Sequence, residues 1–185
     1  MTKKEQIFQV AMALFAEKGY SGSSTSLIAQ RAGVSEGLIF RHYQNKAGLL
    51  QAIIAEGMAQ IAQTMSAYGT ATEPRQAILQ HIEHSLEAIQ QHAQFWRLAS
   101  KIRFQDAVQA QAAAQIAEVN QFIVRHLSDN FQKLGAPEPL AEALLLFAQI
   151  DAVCLHWLQD PEGYPLQAVQ RTLIKKYQYA NFGMD

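Results

Sequence analysis

Ile7, Val10, Ala11, Leu14 and Phe15 stand at i, i+3, i+4, i+7 and i+8, the spacing that lines one face of an α-helix with apolar side chains. Patterns of this kind recur almost to the C-terminus, and no stretch alternates apolar and polar residues as a half-buried strand would. A chain patterned in this way folds as all-α, burying helix against helix. Ala, Leu, Gln and Glu are abundant and no proline precedes Pro74, so intrinsic propensity points the same way.

Glycines divide the first quarter into short pieces. The first helix ends at Gly19, suited to the left-handed position after a C-terminus, with Tyr20 placed to pack back. In "SGSST" the chain turns, and Ser24 caps a second helix from about Thr25 to Ala32 that buries Ile28 and Ala29. Gly33 allows a sharp turn, Val34 fills the corner and Ser35 is placed to cap a third helix, about Glu36 to His42. Asn45 caps a fourth, long helix carrying Leu49, Leu50, Ile53, Ile54, Met58, Ile61 and Met65. Helix, tight glycine turn and a helix of under about ten residues form a helix-turn-helix. Further helices are expected from Pro74 to about Gln91, around Phe95–Ile102, from about Ala107 to Leu134, from Leu140 to Gln159 and from Leu166 to Ala180. The total is about nine.

Charge separates the two ends of the chain. Residues 1–48 carry six Lys/Arg against three Glu, a net +3, while the remainder nets −4. A polyanion would be drawn to the first quarter. A single cysteine, Cys154, rules out an intramolecular disulfide and a Cys-rich zinc site. The most apolar window, "PLAEALLLFAQIDAVCLHWL", contains Glu142, Asp151 and His156. Charges are costly at a bilayer centre, which favours a packed helix over a membrane span. The composition, 49% hydrophobic and 17% charged, is that of a globular protein, and a cytoplasmic location is expected.

The stretch from Ile7 to Ile53 holds "ALFAEKGY", "IAQRAGVS", "LIFRHY" and "NKAGLL" in linked order. It resembles the DNA-binding domain of the TetR family of bacterial transcriptional regulators. The resemblance implies a homodimer that binds a palindromic operator on double-stranded DNA and is released by a small molecule. It also implies a DNA-binding domain over residues 1–48 and a helical ligand-binding and dimerisation domain over residues 49–185. The family more often has tyrosine where Phe40 stands and threonine where Leu38 stands, and Phe40 brings no hydroxyl to a phosphate.

A recognition helix in the major groove shows its N-terminal and outward residues to base edges. Ile39 and Tyr43, four apart, form the inward face, which leaves Glu36, Gly37, Leu38, Arg41 and His42 on or near the groove side. Leu38 suits a thymine methyl, and Arg41 a guanine or a phosphate. Glu36 either accepts from a cytosine amine or satisfies the helix N-terminus. Lys46 opens the fourth helix, where its ammonium, free N–H groups and the dipole converge on an anion. Ser24, Thr25, Ser26, Ser35, Phe40 and His42 complete the expected DNA-contacting set.

Downstream, His84, Phe95, Trp96 and Phe104 are candidates to line a site for an apolar or aromatic effector. The apolar residues of the last two helices spread over more than one face, which points to a homodimer through residues about 140–180. Other readings are a DNA-binding protein without a ligand and a helical-bundle enzyme using His81, His84 and Glu83. "HIEH" lacks the spacing and third ligand of a zinc site, and neither a metal nor a cofactor is expected. The chain is read as a regulator, most simply a repressor, and not as an enzyme.

Overall fold

A computed structural model describes residues 1–66, 73–102 and 110–183, with the side chains of 62–66, 102, 110–113 and 115 excepted. Among the described residues there are nine helices: α1 (Lys3–Lys18), α2 (Thr25–Ala32), α3 (Glu36–Tyr43), α4 (Lys46–Ser66), α5 (Pro74–Gln91), α6 (Ala93–Ile102), α7 (Ala110–Lys133), α8 (Pro139–Gln159) and α9 (Leu166–Tyr179).

Helix ends fall where backbone groups find side-chain partners. α1 begins earlier than its apolar stripe because Thr2 and Glu5 form a reciprocal capping box. The Thr2 hydroxyl accepts from the Glu5 N–H at 3.2 Å, and the Glu5 carboxylate accepts from the Thr2 N–H at 2.8 Å. Gly33 closes α2 in the left-handed region, at φ 60° and ψ 42°. α8 opens one residue before Leu140, with Pro139 in its first turn, where a missing N–H costs nothing. The expected start of the seventh helix at Ala107 lies outside the described residues.

By packing, the chain forms two compact units: Met1–Gln60 with His92–Gln115, and Ile61–Gln91 with Ile116–Asp185. In the first, α1 packs against α2, α3 and α6. Ile7, Leu14, Phe15, Ile28, Ile39 and Leu98 are buried there, and each such side chain contributes about 1.5–3 kcal/mol on leaving water. α6 returns in space to complete this core, with Leu98 fully buried.

The second unit has Ile82, Leu86, Leu127, Phe131, Leu146 and Tyr177 at its centre, drawn from α5, α7, α8 and α9. Arg75, in the first turn of α5, ties down the end of α9. Its guanidinium donates to the carbonyls of Tyr177 at 2.7 Å and Ala180 at 2.9 Å, the orphan acceptors that a helix C-terminus leaves open. Phe182 continues the staple, its ring edge-on to Phe131 with centroids 5.2 Å apart.

Candidate nucleic-acid interface

α3 is held from beneath by two side chains. Ile39 and Tyr43 are buried, and the Tyr43 hydroxyl donates to the Lys4 carbonyl of α1 at 3.0 Å. A helix of eight residues is too short to be stable alone, so these anchors supply what propensity cannot. Gly37, Phe40, Arg41 and His42 are exposed, while Glu36 and Leu38 are half-buried. Phe40 is 47% exposed, a large apolar side chain turned to solvent.

The flanking turns are tightly specified. Ser24 caps α2 as expected, accepting from the Leu27 N–H at 3.1 Å. Ser35 stands at the N-cap of α3 but makes no side-chain cap hydrogen bond, so the expected capping role is not realised and its exposed hydroxyl stays available. Asn45 caps α4 through the Gly48 N–H at 2.8 Å. A Cβ at residue 48 would collide with the Tyr43 carbonyl oxygen, which explains a glycine at the opening of a long helix. Between them Gln44 has φ 67° and ψ −46°, and among the described residues it is the sole non-glycine with positive φ. The Asn45 N–H reaches back to the Tyr43 carbonyl at 2.8 Å, making a strained γ-turn. That turn sets the angle between α3 and α4.

Two of the charged residues expected at DNA have partners within the protein. The Thr25 hydroxyl donates to the Glu36 carboxylate, joining the first turns of α2 and α3. The negative charge therefore lies near two helix N-termini, where dipoles favour it. Lys46 donates to the Tyr20 carbonyl at 2.9 Å, and its ammonium stands 4.1 Å from the centroid of the Tyr20 ring. Partial burial holds its pKa below the usual lysine value. Lys46 thus binds α4 to the turn after α1, a role that spacing along the chain did not reveal.

Of the expected ligand residues, Phe95 and Trp96 come together edge-on, with centroids 5.7 Å apart. Phe95 is buried, and its ring lies where a Cβ on Gly57 would fall, so it is first a packing contact between α6 and α4. The Trp96 Nε1 is buried and meets no acceptor among the described residues. His84 belongs to the other compact unit, next to His81, whose pKa is lowered to about 4 by burial and by the nearby His126 and His84. Phe104 lies outside the described residues. Cys154 is held up at about 12 by burial and by Asp151, which leaves its thiol protonated and unreactive. Among the described residues no group of three or more His, Cys, Asp or Glu side chains converges on a metal position.

A recognition helix pinned at Ile39 and Tyr43, capped neighbours on both sides and an outward face of Gly37, Arg41 and His42 have the geometry of a DNA reader. The family profile described as "Bacterial regulatory proteins, tetR family" matches residues 7–53, the segment so arranged. Residues 7–53 thus match the DNA-binding segment of the TetR family.

Likeness to known regulators extends beyond the reading head. The fatty acid metabolism regulator protein of Bacillus subtilis is 24% identical over 183 residues, covering 94% of this chain and 92% of that protein. The HTH-type transcriptional regulator YvkB of the same organism is 42% identical, but over 52 residues, and this chain spans only 28% of its length. In structure, FadR from Bacillus subtilis, solved with stearoyl-CoA, gives a TM-score of 0.76 at 20% identity, covering 98% of this chain and 99% of that one. AibR, solved with isovaleryl coenzyme A and operator DNA, gives 0.74 at 17% identity, covering 94% and 96%. At such identities the structural likeness is one of fold. The matched segment and the full-length likeness are both to DNA-binding transcriptional regulators, and the chain is read as one of them rather than as an enzyme.

Proposed function

We propose that this regulator binds a palindromic operator as a homodimer and represses from it until an acyl-CoA or a similar amphipathic thioester occupies the chain. Residues 1–48 serve as the DNA-binding domain and residues 49–185 as the ligand-binding and dimerisation domain. The observation that carries the reading is the outer face of α3, where Gly37, Phe40, Arg41 and His42 are exposed over a buried Ile39 and Tyr43.

Within that reading Arg41 pairs with a guanine edge or a phosphate, and Leu38 meets a thymine methyl. Ser24, Ser26, Ser35 and His42 bind phosphates, which position the head without reading sequence. Lys46 keeps two N–H donors beyond the one given to Tyr20 and turns them to the same backbone. Thr25 and Glu36 fix the crossing of α2 on α3, with the carboxylate satisfied by the threonine. Phe40 offers an apolar edge to the sugar wall of the groove.

The dimer forms on α8 and α9. α8 is the most apolar long helix among the described residues, with mean hydropathy 1.4 over its best window, yet only 17% of that window is buried. Leu140, Leu144 and Leu145 are 56%, 50% and 58% exposed, and a second copy covers them. Two α3 helices then stand about 34–36 Å apart, one turn of DNA. Acting on DNA, the protein works in the cytoplasm.

The effector is assigned to the acyl-CoA class on two supports. One relative matched over nearly its full length is named a fatty acid metabolism regulator, and Trp96 has a buried N–H that meets no acceptor among the described residues and suits one such as a thioester carbonyl. His84, Phe95 and Phe104 are the other proposed ligand contacts. Selection of duplexes from a random pool, followed by titration of the winner with stearoyl-CoA, tests both parts. The expected result is a two-fold symmetric site with fixed half-site spacing, released by the acyl-CoA. Enrichment of no defined sequence would overturn the operator reader, and indifference to acyl-CoAs of any length would overturn the effector class.

A further inference from the structure

α6 is part of the same compact unit as the reading head, although Ile61–Gln91 separate them in sequence. It is fastened at both ends. Near its start the Phe95 ring lies against Gly57 of α4 so closely that no Cβ would fit. Near its end the Lys101 ammonium donates to the Ala16 carbonyl at 2.5 Å and the Glu17 carbonyl at 2.8 Å. These are two of the last carbonyls of α1, which the helix cannot satisfy itself. The neighbouring acceptors are already served: Gly19 N–H takes the Phe15 carbonyl at 3.0 Å, and the Ser23 hydroxyl takes the Gly19 carbonyl at 2.9 Å. Lys101 supplies the missing donors and places its charge at the negative end of the α1 dipole.

The end of α1 that Lys101 holds is where the chain turns through Gly19–Ser23 into Ser24, the cap of α2. Tyr20, in that turn, is the residue to which Lys46 is bound. A cation on α6 is therefore linked to the start of α4 by its bonds to α1, the three residues of main chain from Glu17 to Tyr20 and the Lys46 bond, and to the start of α2 by the same turn. Trp96 stands between the two fastenings, five residues before Lys101 on the same helix.

We propose that Lys101 is a positioning residue for operator recognition: it makes the placement of α6 a determinant of where the turn after α1 holds α2 and α4. Linkage is reciprocal, so operator occupancy is felt at Trp96 without any effector present. The inference rests on the operator-binding reading and not on the class of effector.

The test uses the full chain with Trp157→Phe, which leaves Trp96 as the sole tryptophan, and an operator duplex obtained by selection. The expected result is that saturating operator shifts Trp96 emission. Lys101→Met should abolish that shift and weaken operator binding by about 3- to 10-fold, with a cooperative thermal transition retained. Lys101→Arg, which keeps charged donors, should restore both. A lysine that merely stabilises α1 would lower the melting temperature and leave the shift intact, and that outcome overturns the proposal, as does an unchanged Trp96 signal in the parent. Should Lys101→Met fail to fold, the same readout on Lys101→Gln decides between these outcomes. Failure of the parent to bind any duplex would instead remove the operator reading itself.

Discussion

Among the described residues, nothing requires a glycine at Gly37. A Cβ there meets nothing within 4 Å, and its backbone is ordinary helix, unlike Gly48, which faces the Tyr43 carbonyl. Glycine costs about 0.5–1 kcal/mol relative to alanine inside a helix, so a residue with no internal justification points to an external one. Gly37→Ala is expected to raise stability by about that amount in denaturant unfolding. The same variant should bind operator at least about tenfold more weakly, because a methyl group stands between helix and base edges. Equal or tighter binding by the alanine variant would remove the glycine from the interface. Gln44 is the converse case: a residue whose backbone is strained by its own turn and whose neighbours hold it there.

At the scale of elements, the second unit contains a histidine that the fold keeps neutral. His81 of α5 is buried, and its pKa of about 4 lies below the ordinary 6.5 because burial, His126 and His84 all oppose a charge there. Between those two pH values the unfolded chain binds the proton and the folded chain does not. Stability therefore falls as pH drops from about 6.5 towards 4, by about 3 kcal/mol in total, and is indifferent to this group above that window. Urea unfolding of wild type and His81→Leu at a series of pH values checks it: the variant's slope in the window should be flatter, and parallel curves would show that other groups dominate.

The helices themselves were legible in the sequence, α2 to its end residues, because period and caps act over one or two turns. The start of α1 was legible too, in Thr2-x-x-Glu5, but the apolar stripe from Ile7 drew the reading away from it. The capping role expected of Ser35 failed because an N-cap side chain is free to rotate away, and spacing alone does not say which way it turns. The inward pair Ile39 and Tyr43 and the outward Arg41 and His42 followed directly from helical period.

For the whole molecule the informative feature is an apolar helix left uncovered. α8 would satisfy the length and hydropathy of a membrane span, but Glu142 and Asp151 on it, and Leu146 and Ile150 buried in the core of the second unit, fit a helix shared between a core and a partner. Leu145→Glu places a charge on the exposed side and spares that core. Sedimentation is expected to find a monomer, with operator affinity reduced by about 100-fold or more once the two heads bind independently. A dimer of undiminished affinity would move the interface elsewhere.

What the sequence alone determined is the set of helices, the reading head and the direction in which α3 faces, since all three depend on residues within a turn or two of each other. What the tertiary structure decided is which charged side chains find partners inside the protein and which helix supports the head. Thr25 and Glu36 are 11 residues apart, Tyr20 and Lys46 are 26 apart, and Ala16 and Lys101 are 85 apart. No periodicity encodes such pairs. They form only after buried apolar faces have fixed the helices, when an unsatisfied carbonyl or hydroxyl must find whichever donor or acceptor the packing has brought within 3 Å or so.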